Sequence, residues 1–154
     1  MPMDAVDRAI LRHLQDDGRL SNVELAERVH LSPSPCLRRV RALERSGAIR
    51  GYHADIDPAA VGRGFELVVH VELGVKDRAT VEAFEERVLG FDSVIECRRM
   101  FGVPDYLLRV AVADPVAYEG FYMNQLAELP AITRLNSQFT MKAVKPGGRV
   151  PIDG

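Results

Sequence analysis

The 154-residue sequence contains little cysteine, no long apolar run and, in its first 52 residues, no lysine. Its two cysteines, Cys36 and Cys97, lack metal-ligand spacing, and the N-terminus lacks the basic and apolar layout of a secretory signal, so we expect a reducing cytoplasm. No apolar run approaches the roughly 18 residues that a membrane span requires, so no membrane partner is expected. The four histidines show no ligand spacing, and we predict neither a metal site nor a cofactor.

The composition is that of an ordinary globular protein. Hydrophobic residues make up 47% of the chain and charged residues 27%, which excludes disorder, collagen and a coiled coil for the whole chain. The length suits one domain or two small ones. The sequence has no phosphate-binding loop and no recognisable pair of nucleophile and base, so we do not expect an enzyme.

The charge is distributed unevenly along the chain. The net charge is −2, but the first 52 residues carry nine arginines against seven acids, whereas the remainder is acidic. Between Arg28 and Arg50 there are six arginines and one acid, Glu44. Arginine makes forked contacts with phosphates and with guanine edges. The pattern is typical of a nucleic-acid reader, although charge alone leaves a solvated helix face equally open.

Apolar residues at helical spacing predict three short helices in the first 47 residues. The expected N-terminal caps are Asp4, then Ser21 with Glu24 as a capping box, and then Ser32 followed by Pro33. The second and third helices are joined by three or four residues, and the third, over about 32–46, is basic. This arrangement indicates a helix-turn-helix, whose second helix enters the major groove with its first residues against base edges.

The third helix and the segment after it supply the predicted DNA contacts. We expect the helix start to approach bases and the later arginines to approach phosphates. Residues 48–56 are predicted to form a short wing or an extended connector. The predicted DNA-binding residues are Ser32, Pro33, Ser34, Arg38, Arg39, Arg41, Arg45 and Arg50.

The rest of the chain reads as a separate α/β unit. Alternating and helical patterns predict strands over 65–73, 93–101, 106–112 and 132–144, with helices after Asp77 and Asp114. The order β-α-β-β-α-β is the ferredoxin-like arrangement. Its helices cover one face of an antiparallel sheet, so the other face, with Val68 and His70, is free for dimerisation.

The N-terminal sequence resembles the Lrp/AsnC, or feast/famine, transcriptional regulators of bacteria and archaea. The similar stretch is GRLSNVELAERVHLSPSPCLRRVRALERSGAIRGYHA. One departure is His30, where the family usually has glycine in the turn. Histidine tolerates a left-handed backbone better than most residues, so we expect the turn to form.

The C-terminal half resembles the ligand-binding and assembly domain of the same family, through FGVPDYLLRVAVADPVAYEGFY and LAELPAITRLNSQFTMKAVK. The resemblance implies a regulator of amino-acid metabolism that binds double-stranded DNA. It also implies homodimers that assemble to a tetramer or octamer, and a small amino acid or related metabolite bound between dimers as effector. An effector-independent architectural DNA-binding protein of the same fold is the alternative.

The resemblance also implies where an effector binds. A carboxylate such as that of Asp105 can hold an α-ammonium group, and turn N–H groups can hold a carboxylate. Val103 and Pro104 depart from the family, which usually has an acid and then a bulky residue there. The implied effector-binding residues are Gly102, Val103, Pro104, Asp105, Tyr106, Asn136 and Ser137.

The expected fold class is therefore α+β. It combines an N-terminal winged helix-turn-helix with a C-terminal ferredoxin-like βαββαβ domain for ligand binding and assembly. The expected division is a DNA-binding domain over 1–52, a connecting strand and hinge over 53–64, an effector-binding and oligomerisation domain over 65–145, and a C-terminal tail over 146–154.

Overall fold

The structure, a computed structural model, describes residues 3–145 and 147–153. It divides into two compact units: one runs to Asp55 and also takes in the C-terminal segment from Lys145, and the other covers 56–144. No helix within the described ranges has the length and apolar character needed to cross a membrane.

The first unit is built of three helices: α1 (Ala5–Asp16), α2 (Asn22–Arg28) and α3 (Pro33–Arg45). The capping box predicted at Ser21 and Glu24 is confirmed, and Asp4 forms a second one with Asp7. Each box occupies amide groups that the first helical turn leaves without partners. The helices enclose a small core whose fully or nearly fully buried members are Ile10, Leu25, Ala26, Val29, Cys36 and Leu43.

The turn between α2 and α3 forms as expected, but the predicted cap on α3 does not. His30 adopts a φ of 55°, the left-handed conformation expected for it. Ser32 occupies the N-cap position without a capping hydrogen bond from its side chain. Pro35, the third helical residue, has no N–H to donate, so one of the two amides that a cap can use is missing.

The segment between the units is a connector rather than a strand. Residues 51–57 form no strand, and a short 3-10 turn follows at Ala59–Val61. A strand is stable only when its backbone groups pair with another strand, and no described segment pairs with this one. The strand predicted within 53–64 is therefore wrong for this chain, and of the two forms weighed for residues 48–56 the structure shows the connector.

The second unit contains one four-stranded antiparallel sheet in the order β2-β3-β1-β4. Its elements are β1 (Phe65–Leu73), α4 (Arg78–Leu89), β2 (Val94–Arg99), β3 (Tyr106–Val112), α5 (Pro115–Phe121, continued by one π-helical turn, Tyr122–Leu126) and β4 (Ile132–Phe139). The ferredoxin-like order is confirmed. β4 is shorter than predicted: it ends at Phe139, where its register with β1 ends opposite Leu67.

One face of the sheet is apolar and the other is polar. Leu67, Val69, Val71 and Leu73 of β1 are buried in the core that includes Phe84 of α4. The alternate residues of β1 are only half-buried. On that open face Arg109 pairs with Glu66 at 3.1 Å and with Glu96 at 3.3 Å.

The C-terminal segment belongs to the first unit and contacts α1. The Gln15 side-chain amide donates to the Val150 carbonyl and accepts from the Val150 N–H, each at 2.9 Å. Arg149 pairs with Asp16 at 2.9 Å. These bonds fasten the end of the chain along the first helix.

Candidate DNA interface and effector site

Four polar residues form one exposed face of α3. Ser34, Arg38, Arg41 and Arg45 are spaced by four, three and four residues, which places them on one side of a helix. All four are exposed. The opposite side carries Cys36 and Leu43, which are buried in the core of the first unit. We refer to these four residues as the α3 face.

Arg39 points away from the α3 face. Its Nη1 lies 2.7 Å from Asp4 Oδ2 and 2.7 Å from Asp7 Oδ1, so the guanidinium joins α3 to the start of α1. These two carboxylates raise the pKa of Arg39. The pKa of Asp4 is lowered, first by the Asp7 amide and then by Arg39. The structure therefore separates Arg39 from the other arginines that the sequence predicts to contact DNA.

The start of α3 is exposed and held by α2. Ser32, Pro33 and Ser34 are exposed, and the Ser32 hydroxyl makes no cap bond to the helix. Asn22 Nδ2 donates to the Pro33 carbonyl at 2.8 Å, which fixes the first turn of α3 against α2. The hydroxyls at this end are thus free to meet another molecule.

The connector after α3 is tied back to that helix. Tyr52 Oη donates to Glu44 Oε1 at 3.1 Å, so the one acid between Arg28 and Arg50 has a partner within the unit. Burial, followed by this bond to Glu44, raises the pKa of Tyr52. Arg50 is exposed two residues before the tyrosine.

Asp105 lies in the turn between β2 and β3, and its N–H and both of its carboxylate oxygens have partners in the structure. Its N–H donates to the Val71 carbonyl at 2.9 Å, and its Oδ2 accepts the Leu73 N–H at 2.8 Å. Its Oδ1 lies 2.7 Å from Lys76 Nζ. Lys76 first and the Leu73 amide second lower the pKa of the carboxyl. The side chain is 14% exposed, so one edge remains open to solvent.

The residues before Asp105 form an exposed apolar turn. Gly102 has a φ of 116°, a conformation that side chains rarely adopt. Phe101 and Val103 on either side of it are exposed. Exposed apolar side chains therefore come just before the Asp105 carboxylate in the chain.

Tyr106 faces the helices rather than the exposed side of the turn. It is buried, its ring packs on Phe84 with centroids 4.4 Å apart, and its hydroxyl donates to Glu85 Oε1 at 2.8 Å. Burial, followed by the bond to Glu85, strongly raises its pKa. With Arg99 it lines a cleft of about 440 Å³ between α4 and β2.

The two candidate residues on β4 lie on opposite faces of the sheet. Ser137 is in register with Val69 and hydrogen-bonds to Tyr118, so it belongs to the helix-covered face. Asn136 is in register with His70 on the open face. Within one chain, residues 102–105 lie together in the turn, whereas Asn136 and Ser137 face opposite sides of the sheet.

Lys76 is the residue at this turn that the sequence-based prediction misses. It stands in the loop between β1 and α4, just before Asp77, which caps α4. The available signal is its place three residues after the end of β1, whose neighbour β3 begins at Tyr106. Only the register of β1 and β3 makes Lys76 and Asp105 neighbours.

Two family models match the chain. Residues 3–50 match the model described as winged helix-turn-helix DNA-binding. Residues 66–150 match the model described as Lrp/AsnC ligand binding domain. The first match lies within the helical unit. The second covers most of the sheet unit and continues to residue 150, in the C-terminal segment of the first unit.

The chain also matches relatives over nearly their whole length. The chain is 39% identical over 152 residues to the leucine-responsive regulatory protein of Rhizobium meliloti, covering 97% of this chain and 96% of that protein. It is 41% identical over 142 residues to the Bkd operon transcriptional regulator of Pseudomonas aeruginosa, covering 92% and 93%.

Among solved structures, the chain is similar to a Neisseria meningitidis transcriptional regulator in complex with L-Met, with a TM-score of 0.93 and 36% identity over 99% of this chain and 98% of that one. An AsnC family transcriptional regulator from Agrobacterium tumefaciens gives a TM-score of 0.90 and 38% identity, covering 97% of each chain.

Proposed function

The chain belongs to the Lrp/AsnC family of DNA-binding transcriptional regulators, and on that premise we propose that it regulates amino-acid metabolism in the cytoplasm in response to a small effector. The observation that carries the proposal is that one chain has both an exposed arginine face on a helix-turn-helix and a charged turn in a separate ligand-binding unit. The first supplies DNA binding, and the second supplies a site at which a metabolite can act.

We place DNA recognition on the α3 face and the exposed start of α3. In the major groove, Ser32, Ser34 and Arg38 would meet base edges, because the first residues of a recognition helix lie deepest. Arg41 and Arg45 would meet phosphates, with Arg50 of the connector beside them. Pro33 fixes the first turn. The bonds of Arg39 to α1 support a structural role for that residue instead.

Arg38→Ala and Arg45→Ala test this division of roles. Loss of a base contact relaxes sequence preference, whereas loss of a phosphate contact weakens all sequences alike and lowers the salt slope by about one unit. Binding titrations on specific and scrambled duplexes at several salt concentrations measure both effects. Equal losses on both duplexes from both variants, with unchanged base preference, would overturn the division.

We place the effector at the turn of Gly102, Val103, Pro104 and Asp105. Asp105 supplies a carboxylate of fixed orientation, and the exposed apolar side chains of the turn supply contacts for an apolar ligand. The inward orientation of Tyr106 and Ser137 favours a supporting role for both. Asn136 belongs to the open face and would reach an effector only across an interface with another copy.

We propose that the open face of the sheet forms a homodimer and that dimers assemble to a tetramer or octamer. The helices cover only the other face, and an antiparallel sheet can bury its second face against an identical one. A dimer presents two copies of α3 to half-sites separated by one helical turn of DNA or a multiple of it.

A thermal-shift screen of the twenty amino acids and related acids tests the effector response. A ligand at one hundred times its dissociation constant adds about 2.7 kcal/mol to the free energy of unfolding. Footprinting upstream of the chain's own gene, with and without each positive compound, then tests whether binding alters DNA contacts. If none of the compounds changes either measurement, the effector-independent architectural role is the correct one.

A further inference from the structure

A side-chain hydrogen bond ties the start of α3 to α2. Asn22, the first residue of α2, donates from Nδ2 to the Pro33 carbonyl at 2.8 Å. On the basis of the proposed function, we propose that Asn22 is a positioning residue for DNA recognition. It orients the first turn of α3 and thereby sets the sequence preference of Ser32, Ser34 and Arg38, without contacting DNA itself.

The first turn of α3 lacks the hydrogen bonds that usually hold a helix start. Ser32 occupies the N-cap position without a cap bond, and Pro33 and Pro35 have no N–H to donate. Within the described part of the chain, Asn22 is the only residue whose side chain hydrogen-bonds to residues 32–35. The orientation of this turn relative to α2 therefore depends on the Asn22 amide more than on a cap.

The other end of the Asn22 amide indicates that stability does not require an asparagine here. Asn22 Oδ1 is buried and has no hydrogen-bond partner among the described residues. A buried oxygen without a partner lowers the free energy of unfolding. The side chain borders a cavity of about 140 Å³ whose other lining residues include Leu14, Leu20, Leu25, Leu37 and Val40. An apolar side chain would suit these surroundings better, so the bond to α3 is what explains the amide.

A change in the orientation of the first turn is sufficient to alter base recognition. Hydrogen bonds weaken steeply when their geometry is far from linear, and a two-point contact with a base edge discriminates by a factor of about ten or more. Arg41 and Arg45 lie further along α3, and the phosphate contacts that we assign to them carry no sequence information. Loss of the Asn22 bond should therefore lower discrimination and leave the affinity for unrelated DNA nearly unchanged.

Asn22→Leu removes both the bond and the unpartnered oxygen. The wild-type full chain first selects a duplex from a randomised library, and dissociation constants are then measured on that duplex and on a scrambled one. In Asn22→Leu we expect the ratio of the two constants to fall about tenfold, because only the selected duplex binds more weakly. The midpoint of thermal unfolding should stay at the wild-type value or rise. A ratio that does not change, or one that falls together with the midpoint, overturns the positioning role.

Two further variants complete the experiment. Asn22→Asp keeps the shape of the side chain but loses the donor; its added charge weakens binding to every sequence alike, so the ratio should fall as in Asn22→Leu. Val23 is the next residue of α2 and is 55% exposed. Val23→Ala should keep both the ratio and the midpoint.

The outcomes separate the role of Asn22 from the proposed function. An unchanged ratio in Asn22→Asp, or an equal fall in Val23→Ala, overturns the role of Asn22 and leaves the proposed function standing. A wild type that selects no sequence from the library refutes sequence-specific recognition by α3, and the role of Asn22 fails with it.

Discussion

The two units of this chain are stabilised in different ways. The helical unit has a small core, and its polar cross-links lie near the surface, as in the bonds of Arg39 to Asp4 and Asp7. The sheet unit has a larger core, in which Phe84 and Tyr106 are fully buried. Both units therefore rest on apolar cores, but the sheet unit buries aromatic rings, whereas the helical unit buries only smaller side chains and adds an ion pair between α3 and the start of α1.

Of the substitutions that test this comparison, Phe84→Ala is expected to lower the free energy of unfolding most. Phe84 is 0% exposed, and removing a buried phenyl ring costs about 3–5 kcal/mol. The loss should appear as faster hydrogen exchange in the sheet unit, resolved from the helical unit by mass spectrometry. Leu89→Ala, on the same helix and 87% exposed, serves as the control and should change the free energy of unfolding by no more than about 0.5 kcal/mol. Similar losses from both variants would contradict the account of the core.

Arg39→Ala tests the polar cross-links of the helical unit. Its bonds to α1 are partly exposed, so we expect the midpoint of thermal unfolding to fall by only a few degrees, and less at high salt. Arg41 lies two residues further along the helix, on the α3 face. Arg41→Ala should leave the midpoint of thermal unfolding unchanged and should weaken DNA binding at low salt. Calorimetry and DNA titration together check the pair. Indistinguishable profiles for the two variants would show that Arg39 is simply another DNA contact.

Asp105→Asn is expected to have the smallest effect on the free energy of unfolding. The effect should appear as a change in how that free energy depends on pH in acid. The pKa of Asp105 is lowered in the fold by Lys76 and then by the Leu73 amide. Because the folded pKa lies below the unfolded value of about 3.9, the carboxylate stabilises the fold above that pH. That stabilisation is lost as the pH falls through the folded pKa.

Urea unfolding between pH 5 and pH 2.5 measures this dependence. Asp105→Asn should flatten the fall in the free energy of unfolding relative to the wild type. Asp92→Asn, an exposed acid in the same unit, should retain the wild-type slope. Equal slopes for wild type and Asp105→Asn would mean that the bonds of the Asp105 carboxylate do not persist in solution.

The sequence predicts most elements of both units, because their signals are local. Capping residues and apolar spacing locate α1 and α2, and the alternation after Gly64 locates β1. Ser32 shows the limit of this reasoning, since it occupies the N-cap position without a cap bond, and the proline three residues later removes one of the amides it could use. The strand predicted after Tyr52 fails because a strand depends on a partner elsewhere, which a local pattern does not reveal.

The candidate sites are predicted less completely than the fold. Residue type alone groups Arg39 with Arg38 and Arg41, and only the packing of α3 on α1 separates it. Likewise, Asp105 follows from a resemblance, whereas its pairing with Lys76 depends on the register of two strands. Long-range pairing is set by tertiary structure, so such neighbours are absent from any local pattern.

The central claim is that DNA binding resides in the helical unit and the response to a ligand in the sheet unit. Its most direct test is the DNA affinity of wild type and Asp105→Asn, measured across salt concentrations with and without the compound that binds the wild type. We predict that Asp105→Asn retains the wild-type affinity and salt slope and loses the response to the compound. A variant that still responds fully, or one that loses DNA affinity in the absence of the compound, would contradict the claim.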